Sequence, residues 1–352
     1  MNVWTSHTLF LNGKLLTPVN LEEQCRIETN ALAMQVLGFY REWIGENDEI
    51  SLQTSGSTGK PKKMQVLKQS MIESAFATGQ FLRLGKGMKA LLCLSPDYIA
   101  GKMMIVRAMV ISMDLITTDV SANPVEKLET PVGFSAMVPL QVNQILKQSP
   151  DKFHLIKILI IGGSAIEQKL ENDLQNIETL CYHTYGMTET LSHVALRPIN
   201  GIKRSDWFTP FENIHVSLDQ RACLVITAPF VQKDPVITND IAEIDEGNRF
   251  KIHGRNDHVI VSAGRKIHPE EVENKIRHLF NKPFIISTLK DEKAGETVVL
   301  YCEEKFGIKA LYQLWKQLSE ALDSHEIPRQ IIHIERIPFL ESGKIDRKGI
   351  II

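Results

Sequence analysis

Leu155-Ile-Lys-Ile-Leu-Ile-Ile-Gly-Gly-Ser164 is an apolar run, broken by one lysine, that stops at a glycine pair. A strand with one wet face alternates polar and apolar residues. A nearly continuous apolar run of this length belongs instead to a strand covered on both faces, the signature of a parallel sheet. Ala90-Leu-Leu-Cys-Leu94 reads the same way. Helical patterns lie around these two runs at about 69–84, 101–113 and 139–148. Strand and helix alternate from about residue 48 to 195, which implies βαβ units and the α/β fold class.

Working outward, the pattern changes at about residue 205. Short β-like runs such as Leu224-Val-Ile-Thr227 and His258-Val-Ile-Val261, separated by turns, suggest a more antiparallel region up to 261. The last hundred or so residues carry a helix opening at Pro269-Glu-Glu, strands near 284–289, 297–303 and 331–335, and a helix near 308–323. That pattern predicts a small α+β domain. The expected division is a large layered domain over 1–253 and a small one over 254–352, since a chain of 352 residues is long for one core.

Composition excludes several classes. The hydrophobic fraction of 43% is ordinary for a globular protein, and the net charge of −2 favours neither nucleic acid nor an anionic membrane. The five cysteines are scattered and form no C-x-x-C pair, so neither a zinc site nor a disulfide framework is expected. Met1 to Leu21 lacks a basic start followed by an apolar core, and no apolar run approaches a membrane span. A cytoplasmic location without a membrane span is the expectation.

Upstream of the buried strands, Thr54-Ser-Gly-Ser-Thr-Gly-Lys-Pro-Lys62 combines hydroxyls on Thr54, Ser55, Ser57 and Thr58 with Gly56, Gly59, Lys60 and Lys62. Glycines, amide N–H groups, hydroxyls and ammonium groups together suit a polyphosphate. Glu49-Ile-Ser-Leu-Gln53 reads as a strand, which puts this loop at a strand's end. The spacing is not that of a P-loop, because two residues rather than four separate Gly56 from Gly59 and Pro61 follows Lys60. A plain surface turn is the alternative.

Four further segments carry chemistry-bearing groups. Tyr185-Gly-Met-Thr-Glu189 offers a permissive Gly186, the Thr188 hydroxyl and the Glu189 carboxylate. Beside a phosphate site such a carboxylate suits Mg²⁺, while by itself Glu189 reads as an acidic residue at a helix N-terminus. Gly162-Gly163-Ser164 would let a flat ligand lie against the backbone or simply form a turn. In Thr238-Asn-Asp240, Asp240 can accept both hydroxyls of a ribose or serve as a turn residue. Lys344, behind a Ser-Gly pair, could neutralise charge at a reacting phosphoryl or acyl group, although a lone lysine is usually solvated surface.

The order of these segments, with Gly254-Arg-Asn-Asp-His-Val-Ile-Val-Ser-Ala-Gly264 and Pro338-x-x-x-x-Gly-Lys-Ile-Asp-Arg347, resembles the adenylate-forming acyl-CoA synthetase superfamily over residues 50–347. The resemblance implies ATP and Mg²⁺ as cofactors, an acyl-adenylate intermediate and coenzyme A as acceptor. It implies that loop 54–62 holds the β- and γ-phosphates, Thr188 the α-phosphate and Glu189 the Mg²⁺. Gly163, Tyr185, Gly186, Asp240 and Arg255 would complete the nucleotide site, and Lys344 would bridge the carboxylate and the α-phosphate. A mobile C-terminal domain would pivot at Asp257, with Gly264 beside the pantetheine tunnel. Only 53 residues precede Thr54, fewer than the family carries, so a shortened N-terminal subdomain is expected. Small-molecule partners are implied, and a homodimer is one expectation.

A narrower resemblance, to o-succinylbenzoate–CoA ligases of menaquinone biosynthesis, rests on Tyr185-Gly-Met-Thr-Glu-Thr-Leu-Ser-His193 and on Gly101-Lys-Met-Met-Ile-Val-Arg-Ala-Met-Val110. Arg107 is the only charge between Met103 and Met113. An arginine in an apolar wall needs a partner, and a carboxylate matches it bidentately. The resemblance assigns Arg107, Gly163, Ser164, Ser192 and His193 to the acyl substrate, with Ser135 and Met137 as further candidates from position. Another aryl-acid ligase of the superfamily, or a truncated inactive nucleotide-binding homologue, are the competing readings.

Overall fold

The computed structural model describes residues 8–53, 63–231, 234–291, 295–338 and 345–350. Two compact units divide the chain. The first comprises Met1–Ile166, Leu170–His215 and Ile226–Val236, and the second Glu167–Lys169, Val216–Val225 and Ile237–Ile352.

The first unit is built on a nine-stranded sheet. Its strand order is Thr209–Pro210, His193–Pro198, Leu180–Gly186, Ile156–Ile161, Val132–Met137, Lys89–Leu92, Asp114–Thr117, Leu9–Leu11 and Lys14–Leu16. From Leu180–Gly186 to Leu9–Leu11 the strands run parallel, and antiparallel strands close both edges. The α/β class expected from sequence is the class observed. Ile156–Ile161 is buried at Ile156, Ile158, Leu159, Ile160 and Ile161, as a strand covered on both faces must be. Each such side chain contributes about 1.5–3 kcal/mol of transfer free energy.

The helices occupy the expected places, at Lys68–Leu82, Ile99–Ile111 and Pro139–Gln148. Proline suits the first position of the last one, where its missing N–H is not needed. Its Val142 and Ile145 pack with Met137, Leu159 and Ile161 in one core cluster. Ile99–Ile111 is apolar nearly all round and correspondingly buried. It packs against Lys68–Leu82 and against the strands Lys89–Leu92 and Leu9–Leu11.

Several readings change. Glu49–Gln53 is a strand, but it pairs with Lys63–Leu67 in a separate two-stranded antiparallel sheet and does not enter the parallel sheet. The loop residues between those strands, 54–62, lie outside the described residues. Glu189 begins no helix. It sits in the turn between Leu180–Gly186 and His193–Pro198, so the helix-dipole alternative fails. Thr238-Asn-Asp240 lies inside the strand Val236–Ile244 and not in a turn. His258 closes a 3₁₀ turn at Asn256–His258 and only Ile260–Ser262 is strand, because Arg255 grips Asp257 two residues on and folds the chain locally.

A four-stranded sheet follows in the order His215–Leu218, Cys223–Thr227, Val236–Ile244, Phe250–Arg255, and bears out the antiparallel region. The second unit then carries a five-stranded sheet of Arg265–Ile267, Ile260–Ser262, Gly295–Cys302, Phe284–Asp291 and Gln330–His333. Helices Pro269–Ile276 and Ile308–Ala321 bury Val272, Ile276, Leu314 and Leu318 against Phe284, Ile286, Val298 and Leu300. Among the described residues, no helix is long and apolar enough to cross a membrane.

Candidate functional site

In the first unit the site-bearing groups gather where helix Ile99–Ile111 meets the strand pair Leu180–Gly186 and His193–Pro198. Gly186 faces His193 in the antiparallel register, and the ladder bulges between His193 and Ala195. A Cβ on Gly186 would lie 2.4 Å from the Ser192 carbonyl oxygen, so only glycine permits this approach. The buried Thr190 staples the turn: its hydroxyl accepts from the Met187 N–H at 2.9 Å and lies 2.8 Å from the Ser192 carbonyl. Thr188 and Glu189 are presented on this turn, Glu189 exposed. Among the described residues Glu189 makes no hydrogen bond or ion pair, so its oxygens remain available to a hard cation. Mg²⁺ takes one or two carboxylates together with phosphate oxygens and water, and this donor fits it.

Arg107 is 2% exposed. Its Nη2 donates to Ser192 Oγ at 3.1 Å and to His193 Nδ1 at 3.4 Å, and its buried Nε has no partner. Among the described residues no carboxylate pairs with it. Burial pulls its pKa down to about 9, which leaves it charged at neutral pH. Lys102 on the same helix differs: its ammonium lies 3.5 Å from Glu42 and over the Phe39 ring.

His193 is buried and uses both ring nitrogens inside the protein. Nε2 lies 3.0 Å from Thr78 Oγ1, and that hydroxyl donates to the Ser74 carbonyl at 3.0 Å. The Phe211 ring stands edge-on to the imidazole. Burial first, and then the charge of Arg107, hold the His193 pKa well below the ordinary histidine range.

A second arginine–histidine pair sits on the same two strands. His183 Nδ1 accepts from Arg197 at 3.4 Å, and its Nε2 donates to the Ser164 carbonyl at 3.3 Å. Burial, with the Arg197 charge second, pulls the His183 pKa down to about 3. Here the arginine has a counter-ion, because Arg197 Nη1 and Nη2 both donate to the buried carboxylate of Glu171. This network anchors the Gly162–Ser164 loop. Gly163 holds φ +92, a backbone reason for glycine, and a Cβ on Gly162 would meet the Thr184 side-chain Oγ1 at 2.2 Å. Tyr185 stands edge-on to Phe208.

Ser135 is fully buried and donates to the Leu91 carbonyl, and Met137 belongs to the core.

In the second unit Arg255 is the organiser. It grips Asp257 through Nε at 2.9 Å and Nη2 at 3.1 Å, and its Nη1 lies 3.4 Å from Asp240. Asp240 and Arg255 are also paired in the strand register. Burial alone would raise the Asp257 pKa, but the Arg255 hydrogen bonds and charge outweigh it and hold it lowered. Arg221 fixes the neighbouring backbone, donating to Asn239 Oδ1 and the Thr238 carbonyl. Gly264 has φ +77 behind Ala263 at φ +47, the geometry of a two-residue hairpin turn between Ser262 and Arg265, with open space around its Cβ direction. Arg347 donates to Glu273 Oε2 at 2.8 Å and to the Ile286 carbonyl at 2.9 Å. Lys344, like Thr54, Ser55, Gly56, Ser57, Thr58, Gly59, Lys60 and Lys62, lies outside the described residues.

Sequence reasoning missed Thr78, Thr190, His183, Arg197 and Glu171. Thr78, His183, Arg197 and Glu171 lie outside the quoted motifs and act through partners distant in the chain, while Thr190, inside the Tyr185–His193 run, acts in a turn not foreseen.

The AMP-binding enzyme family model matches residues 29–218. The 2-succinylbenzoate–CoA ligase of Listeria monocytogenes is 27% identical over 321 residues, covering 84% of this chain and 68% of that protein. The crystal structure of an acyl-CoA synthetase (AMP-forming)/AMP-acid ligase II-like protein from Dyadobacter fermentans matches with 33% identity and a TM-score of 0.64, covering 92% of this chain and 96% of that one. The o-succinylbenzoate coenzyme A synthetase of Bacillus subtilis, in complex with ATP and magnesium ion, has 19% identity and a TM-score of 0.69 and shares the fold.

Proposed function

We propose that this chain, which belongs to the AMP-binding enzyme family, joins a carboxylic acid to coenzyme A through an acyl-adenylate, using ATP and Mg²⁺, and that the acid is o-succinylbenzoate. The observation that carries the choice of acid is the contrast between two buried arginines. Arg197 has the Glu171 carboxylate, whereas among the described residues Arg107 has only the neutral Ser192 and His193. A buried cation without a counter-ion is costly, and a ligand carboxylate supplies the missing charge. o-Succinylbenzoate has two carboxylates, one to activate and one to pair with Arg107.

In this reading the 54–62 loop binds the β- and γ-phosphates, and Thr188 the α-phosphate. Glu189 holds Mg²⁺, which offsets negative charge on the phosphates when bound. Gly163, Tyr185 and Gly186 contribute to the nucleotide site, and Asp240 and Arg255 hold the ribose hydroxyls. Gly163, Ser164 and Ser192 border the aromatic ring. A carboxylate oxygen attacks the α-phosphorus, pyrophosphate leaves, and Lys344 offsets the charge that concentrates at the reacting oxygens. The coenzyme A thiol then displaces AMP. Asp257 serves as the pivot between the two half-reactions, and Gly264 borders the pantetheine arm. We place the protein in the cytoplasm, where ATP and coenzyme A are found.

The test is a panel of acids, including o-succinylbenzoate, benzoate and a long-chain fatty acid, assayed for AMP release with and without coenzyme A. The proposal expects o-succinylbenzoate to be used with the highest kcat/KM and coenzyme A to speed AMP release. Preference for an acid lacking a second carboxylate overturns the substrate, and no AMP release with any acid overturns the reaction.

A further inference from the structure

The site as built raises a question about its histidine. His193 stands beside the substrate arginine, yet neither ring nitrogen is free for a substrate. The hydrogen-bond order fixes where its proton lies. Thr78 spends its single hydroxyl proton on the Ser74 carbonyl at 3.0 Å. Toward His193 Nε2, also 3.0 Å away, it can therefore only accept, so Nε2 carries the proton. In the neutral ring Nδ1 is then bare, and it takes a proton donor from Arg107 Nη2 at 3.4 Å. The opposite tautomer would put N–H against N–H at the guanidinium.

We infer that His193 and Thr78 are positioning residues for acid selection: Thr78 locks His193 as the neutral Nε2–H tautomer, and His193 aims Arg107 while lending it no negative charge. The inference rests on the reading of Arg107 as partner of the substrate's second carboxylate. An acidic residue in place of His193 would orient Arg107 equally well but would neutralise it, as Glu171 neutralises Arg197 on the neighbouring pair. A dipole that orients without neutralising leaves the guanidinium's charge, and its unpartnered Nε, for the ligand. The low His193 pKa, set by burial and by Arg107, keeps the ring uncharged through the neutral range.

The experiment compares wild type, Thr78→Val, Thr78→Ser and Arg107→Met, each as the full chain. KM and kcat are measured separately with o-succinylbenzoate and with benzoate, and the ¹⁵N resonances of His193 report its tautomer. The wild-type ring is expected as the Nε2–H tautomer from about pH 6 to 8. Thr78→Val is expected to mix the tautomers and raise KM for o-succinylbenzoate about tenfold, with no such rise for benzoate. Thr78→Ser restores both the tautomer and KM. If Arg107→Met raises the o-succinylbenzoate KM while Thr78→Val does not, the positioning role is overturned and the arginine's role stands. A rise for both acids in Thr78→Val also overturns it, since a merely structural role acts on both. If Arg107→Met itself leaves KM unchanged, the underlying assignment of Arg107 fails.

Discussion

Exchanging Arg107 for methionine and, in a second protein, Arg197 for methionine separates a charge kept for a ligand from a charge that holds the fold. Arg107 forfeits its bonds to Ser192 and His193. Ser192 Oγ stands 3.4 Å from His193 Nδ1 and can turn its own proton onto that nitrogen, so the exposed acceptor is covered. What disappears is a buried cation with no counter-ion among the described residues and an orphaned Nε, and methionine fills the stem. The expected change in unfolding free energy is neutral to about +4 kcal/mol in favour of the variant. Arg197→Met instead strands the Glu171 carboxylate, whose side chain is only 8% exposed, and is expected to cost about 3–5 kcal/mol. Function moves the opposite way at Arg107. A hydrogen bond between charged groups contributes about 1.5–3 kcal/mol, so KM for o-succinylbenzoate should rise about 10- to 150-fold, with benzoate little affected. Calorimetric unfolding and steady-state kinetics on both variants supply the readings. Should Arg107→Met lose as much stability as Arg197→Met, the charge of Arg107 is compensated within the fold and the argument for a ligand carboxylate is wrong.

Lys344→Ala should lose acid-dependent formation of the adenylate yet still convert supplied acyl-adenylate to thioester; equal loss in both half-reactions, measured separately, contradicts the division. Gly264→Leu should show the reverse, with pyrophosphate exchange retained and thioester formation lost. Its open Cβ direction lets the fold accept the side chain, at about 1–2 kcal/mol for a non-glycine residue at φ +77. Asp257→Asn should flatten part of the acid limb of stability. A carboxyl with a lowered folded pKa stabilises above the ordinary carboxylate range, and that contribution fades as pH falls through the folded value. The stability gap between wild type and Asp257→Asn should therefore narrow on acidification in urea titrations, and a widening gap refutes the assignment.

The elements with a strong apolar pattern were legible in the chain. Ile156–Ile161 announces itself as a covered strand because five of its six positions are isoleucine or leucine. Edge elements were not: Asp114–Thr117 is short and half-buried, and Lys14–Leu16 closes the sheet through a hairpin with no strong pattern. Thr238-Asn-Asp240 looked like a turn because its residues favour turns, yet cross-strand pairing and the Arg221 bonds hold it extended. The charge of Arg107 in an apolar run was readable; that no carboxylate among the described residues pairs with it was not, since that depends on neighbours in space. The Thr78–His193 contact joins residues 115 positions apart and leaves no local trace. Glu171, which answers Arg197, reads in sequence as one more helix-surface acid.

The most direct measurement is exchange of labelled pyrophosphate into ATP by the purified, folded protein with Mg²⁺, run with and without o-succinylbenzoate and with coenzyme A left out. Exchange that depends on the acid and needs no thiol is the predicted result, because activation of the carboxylate precedes any contact with coenzyme A. No acid-dependent exchange, from protein whose calorimetric unfolding confirms that it is folded, contradicts the account.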